Sequence, residues 1–139
     1  MIRISKDLLT EIHEHIRRTY PEECCGFLLG EANDGHKLVS EVQAASNARM
    51  DERRRRFLIT PDEYRQAEAA SRAKQLEVVG FYHSHPDYEA RPSAYDFEHA
   101  WPWFSYVIVS VREAEPKEIR SWMIDDDRRN FSEEQVLIV

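Results

Sequence analysis

The chain has 139 residues, room for one domain and hardly two. It is 42% hydrophobic and 11% aromatic, which supplies a real core and excludes disorder, while 32% charged residues solvate the surface. The net charge of −7 repels phosphate backbones, so no nucleic-acid partner is expected.

Met1 to Tyr20 carries charges throughout and has no continuous apolar run, so no secretory leader is expected. No apolar stretch approaches the ~20 residues that span a bilayer. The expectation is a soluble, cytoplasmic protein with no membrane partner. The only cysteines, Cys24 and Cys25, are adjacent, a spacing that rarely meets disulfide geometry and fits a reducing compartment.

In chain order, Ile2 to Ile4 reads as a short leading strand. Ser5 is a fair N-cap for a helix over Lys6–Thr19, where Leu8, Leu9, Ile12 and Ile16 form one apolar stripe and Pro21 ends the run. Cys24 to Leu29 reads as a buried strand. Asn33-Asp34-Gly35 signals a turn, with a returning strand over Lys37–Val42. Ala44 to Glu52 reads as a loop and Phe57 to Thr60 as a strand. The four arginines Arg53 to Arg56 read as a solvated loop or strand edge, with a patch for an acidic protein partner as the alternative. Thr60 as N-cap and Pro61 at the first helical position open a second helix, to about Leu76. Val78 to His83 is a buried strand, and a loop with Pro86 and Pro92 follows. Ser93 opens a short third helix to about Ala100. Tyr106–Val111, Ile119–Ile124 and Val136–Val139 are the last strands. The order suggests one domain over 1–139, an α+β (α/β) fold with a mixed, mostly antiparallel sheet flanked by helices.

The chemistry concentrates at His83-Ser84-His85-Pro86 and Ser93-Ala94-Tyr95-Asp96. Residues two apart on a strand face the same way, so His83 and His85 form a chelating pair. With Asp96 they offer three ligands to zinc and leave a fourth position for water. His13 and His15 share the spacing but sit on a helix, where they point about 200° apart, so they read as surface histidines. Ser93 and Asp96 also read as a helix cap. Cys24 and Cys25 read as packing residues rather than nucleophiles. Trp101, Pro102, Trp103 and Phe104 read as core, with a substrate-facing wall as the alternative.

His-x-His, seven residues, then Ser-x-x-Asp resembles the signature of the JAMM/MPN metalloprotease family, and the order of elements is similar over nearly the whole chain. The resemblance implies an MPN/JAB fold related to cytidine deaminase. It implies one zinc ion per chain on His83, His85 and Asp96, and a catalytic role for Ser93. Pro21-Glu22-Glu23-Cys24 is similar to the Pro-x-Glu segment in which the family carries its glutamate, which selects Glu23 over Glu22. The short chain is similar to compact prokaryotic members. The implied reaction is hydrolysis after the C-terminal glycine of a ubiquitin-like or sulfur-carrier protein, whose tail would be the partner. The alternatives are a non-catalytic MPN scaffold and a zinc amidohydrolase of small substrates. Scaffolds of the family lack the ligands present here, and the deaminases' Pro-Cys-x-x-Cys is absent.

Overall fold

The computed structural model describes residues 1–46 and 59–139. Its elements are β1 (Ile2–Ile4), α1 (Lys6–Thr19), β2 (Cys25–Asn33), β3 (His36–Ala45), α2 (Pro61–Ala73), β4 (Glu77–Pro86), α3 (Ala94–His99), β5 (Ser105–Arg112), β6 (Glu115–Ile124), β7 (Phe131–Glu134) and β8 (Val136–Ile138). The strands form one eight-stranded sheet in the order β7-β6-β5-β4-β2-β3-β1-β8. Pairs β4–β5, β1–β3 and β1–β8 are parallel; β2–β3, β2–β4, β5–β6 and β6–β7 are antiparallel. This is the expected mixed, mostly antiparallel sheet with helices on its faces. No described helix is long and apolar enough to cross a membrane.

Local chemistry sets the element ends. Ser5 Oγ accepts a hydrogen bond from the Leu8 amide at 3.2 Å, and Thr60 Oγ1 accepts one from Glu63 at 3.2 Å, each satisfying a first-turn donor. Between β2 and β3, Asp34 (φ 52°) and Gly35 (φ 77°) both take positive φ, the geometry of a two-residue hairpin turn.

Several expectations need correction. Ala44 and Ala45 extend β3 instead of opening a loop. Ile59 and Thr60 are not in a strand; the rest of the Phe57–Thr60 expectation, and Arg53–Arg56, lie outside the described residues. β7 was not expected, because Phe-Ser-Glu-Glu has no apolar alternation; it is held by pairing with β6.

Two cores sandwich the sheet. On one face Ile12 and Ile16 of α1 pack on Ile2, Ile4, Leu28, Val79, Tyr82 and Val107. On the other, Ala67 and Tyr64 of α2 pack on Phe27, Leu29, Val78, Phe81 and Phe104. One irregularity decides which face carries the histidines. Leu28 pairs with Gly80 but Leu29 pairs with Val78, so Val79 is an extra residue in β4. Such a bulge inverts the alternation beyond it. Val79 points into the α1 core, while Phe81, two residues on, lies on the α2 side, and His83 and His85 follow it there by period two.

The parallel β4–β5 pair is close-set. A Cβ on Gly80 would run into the Ser105 carbonyl, so only glycine fits. Beside that start of β5, buried Lys37 donates from Nζ to Ser105 Oγ at 2.9 Å and to the Trp103 carbonyl, and lies 4.8 Å from the Trp103 ring centre. Burial lowers the Lys37 pKa from 10.5 to about 8, against the opposing pull of Glu134 and Glu77. Between about pH 8 and 10.5 the unfolded lysine therefore holds more proton than the folded one, and stability rises with pH across that window. A Lys37→Met variant will lack this rise; parallel slopes in the two proteins' denaturant midpoints from pH 8 to 10.5 would exclude it.

Candidate active site

The site forms where β4 ends beside the start of β2. Cys25 pairs with His83, so Glu23, two residues earlier, comes up beside the histidine strand's end. Ser84 Oγ accepts from the Cys24 amide at 3.0 Å, and the Ser84 amide donates to the Cys24 carbonyl at 3.1 Å, which fixes this register. The crossover from β4 to β5 carries α3 back over the same edge. Ser93 caps α3: its Oγ accepts from the Asp96 amide at 3.1 Å, and its own amide donates to Asp96 Oδ2 at 2.8 Å. The capping reading of Ser93 and Asp96 therefore holds. It also aims Asp96 at the histidines.

His83 Nε2 and His85 Nε2 lie 3.1 Å apart, and Asp96 Oδ2 lies 3.3 and 3.2 Å from them. A four-coordinate ion held at about 2.0–2.2 Å requires ligand–ligand edges of about 3.3–3.6 Å, so these three atoms match one face of such a tetrahedron. The Glu23 carboxylate shares the space, with its ligand atom within 4.8 Å of those of both histidines. Two carboxylates thus compete for the third ligand position, and Asp96 makes the tighter triangle. His83, His85 and Glu23 are all buried.

Protonation supports the fit to a cation. His85 Nδ1 lies 2.6 Å from the Glu89 carbonyl, which can only accept, so Nδ1 carries the hydrogen. Burial lowers the His85 pKa, opposed by the Asp96 hydrogen bond. Neutral His85 then turns a lone pair toward Asp96 Oδ2. A lone pair facing a carboxylate is repulsive unless a cation lies between them. The donor set and its spacing both suit one.

Residues around the triangle hold it. Tyr88 stacks on His85 with ring centres 4.0 Å apart and planes 14° from parallel. Tyr20 OH donates to Asp87 Oδ2 at 2.8 Å, tying the end of α1 to the turn that presents Glu89. Sequence reasoning missed Tyr88 and Glu89; nothing in their spacing marks them. The aromatic pocket beside the triangle matches only the alternative reading of Trp101–Phe104, a substrate-facing wall; its Tyr64 and Phe81 side was missed. Trp101 and Phe104 line that pocket, and Trp101 is 59% exposed, so the Trp101–Phe104 segment is not plain core. Phe104 serves both the α2-side core and the wall, and the solvent-facing Trp103 ring covers Lys37.

His13 and His15 are half-buried, not surface residues. His15 Nδ1 meets Tyr82 OH at 2.7 Å, because the tyrosine reaches out from the core under α1. Both lie on the α1 side and take no part in the triangle. Cys24 and Cys25 are free and buried. Burial pushes the Cys24 thiol up to about 11 and Cys25 higher still, so neither supplies a thiolate nucleophile near neutral pH.

This architecture is that of the JAB1/MPN class. The crystal structure of AF2198, a JAB1/MPN domain protein from Archaeoglobus fulgidus, shares the fold with a TM-score of 0.62 at 20% identity, covering 100% of this chain and 97% of that one. The solution structure of protein DSY2949 from Desulfitobacterium hafniense matches with a TM-score of 0.88 at 30% identity, covering 100% and 93%. The chain belongs to the Prok-JAB family, prokaryotic homologs of the JAB domain, whose model matches residues 5–125. It is 34% identical to the CysO-cysteine peptidase of Mycobacterium tuberculosis (strain ATCC 25618 / H37Rv) over 139 residues, covering 98% of this chain and 90% of that protein. It is 34% identical to the desampylase of Haloferax volcanii over 104 residues, covering 74% and 73%.

Proposed function

We propose that this chain is a zinc-dependent peptidase or isopeptidase that hydrolyses the bond after the C-terminal glycine of a ubiquitin-like or sulfur-carrier protein. The observation that carries the reading is the buried triangle of His83, His85 and Asp96 at 3.1–3.3 Å, with the Glu23 carboxylate beside it. The peptidase relatives favour the substrate class. The working unit is one domain over residues 1–139 with one zinc, acting in the cytoplasm.

His83, His85 and Asp96 would hold the zinc, which when bound would supply Lewis acidity for activating water and polarising a carbonyl. Glu23 accepts the proton that the attacking water loses and returns it to the leaving amine as the glycine C–N bond breaks. The water oxygen stays on the glycine carboxylate. Ser93 Oγ accepts one hydrogen bond as a helix cap, yet a hydroxyl keeps its own proton to donate. That proton is directed to the oxyanion of the tetrahedral intermediate, so the cap and the catalytic role coexist.

The test is incubation of the protein with carrier proteins extended beyond their terminal glycine, with and without a chelator. A zinc-dependent cut after the glycine is expected. Zinc bound without any product across the candidate carriers would turn the reading toward the amidohydrolase alternative. No bound metal would turn it toward the scaffold.

A further inference from the structure

Resting on the peptidase reading, the pocket beside the triangle points to a preference for one kind of leaving group. The cavity measures about 310 Å³. His83 and Asp96 form one wall, and Tyr64, Phe81, Phe104 and Tyr106 form much of the rest, with Trp101 also on the lining. Phe81 sits at the centre of this aromatic set, with ring centres 5.2 Å from Phe104, 5.5 Å from Tyr106 and 6.3 Å from Tyr64. Mutual edge and stacked contacts keep these rings in place, so the cavity is preformed.

We infer that this pocket binds the side chain of the residue released from the carrier's glycine, and that it selects a large apolar or aromatic residue joined through its α-amine. The geometry gives the reason. The cavity opens directly from His83 and Asp96, so it is filled by groups next to the scissile bond. Glycine on the acyl side has no side chain to offer. The first side chain beyond the bond belongs to the leaving residue. A lining this rich in aromatic rings is matched by apolar surface; a small thiol or methyl side chain leaves most of it wet. Among the described lining residues Asp96 is the only acid, and it faces the histidines. A free ammonium on a leaving lysine therefore finds no counter-charge among the described residues of the aromatic part.

Binding and turnover test this separately. Titration with phenylalaninamide, alaninamide and cysteinamide, followed by tryptophan fluorescence or NMR shifts, should show phenylalaninamide binding at least about 10-fold tighter than the other two. Tyr64→Ala and the solvent-exposed Trp101→Ala should each shrink that ratio. Carrier adducts ending in glycine followed by Phe, Leu, Ala or Cys, and an isopeptide adduct to lysine, should be cleaved with kcat/KM highest for Phe and Leu. Equal binding of the three amides, or equal cleavage of all adducts, overturns the selectivity. Selective amide binding with no adduct cleaved upholds the pocket and rejects the peptidase reading instead.

Discussion

A Glu23→Gln variant of the proposed zinc enzyme is expected to take up zinc as the parent does and to lose turnover by about 10²–10⁴-fold, the range that a positioned general acid–base supplies. Glutamine fills the same volume but cannot take a proton at neutral pH. The buried carboxylate lies within 4.8 Å of both histidine ligand atoms, so it is placed to serve water held in the same space. Metal content and turnover measured on the same preparation separate two roles. If Glu23 is a ligand instead of Asp96, zinc and activity fall together; full activity excludes it from the chemistry altogether.

Legibility in the sequence followed how local each signal was. The stripe Leu8, Leu9, Ile12, Ile16 and the Ser5 cap placed α1 at its observed ends, because both act within one or two turns. His83 and His85 were readable as a pair because strand period alone aligns them. Which side of the sheet they face was not readable. That depends on Val79, an extra residue recognisable only through its pairing with β2. Glu23 could be chosen only by resemblance, since its nearness to the histidines comes from the Cys25–His83 register across 58 residues of chain. His15 was misread because helix geometry describes its own spacing but says nothing of Tyr82 arriving from β4. Beyond the wall that Trp101–Phe104 suggested, the pocket was not readable for the same reason: Tyr64, Phe81 and Phe104 come from α2, β4 and the approach to β5, and only tertiary packing unites them. Ser93 and Asp96 were the reverse case. Both readings of that motif were local; the structure shows the cap, and the same carboxylate oxygen that satisfies the backbone faces the two imidazoles.

That double duty allows the ligand to be tested without unfolding the helix. An Asp96→Asn variant keeps a carbonyl oxygen to accept from the Ser93 amide, so α3 should start where it does now. It loses the negative charge that offsets the cation. Loss of an outer-shell partner costs about 10–100-fold in metal affinity, and loss of a charged ligand should cost more. The expected result is a folded protein with no detectable hydrolysis whose melting temperature no longer responds to zinc. The parent should gain about 2.7 kcal/mol at zinc 100-fold above its Kd, and this gain should vanish in the variant. Ser93→Ala provides the contrast. It removes the cap, at a cost of about 1 kcal/mol, and the oxyanion donor, yet leaves all three ligands, so turnover falls while zinc still stabilises. Should Asp96→Asn retain tight zinc while Glu23→Gln loses it, the two carboxylates exchange roles: Glu23 becomes the third ligand and Asp96 the proton acceptor beside it.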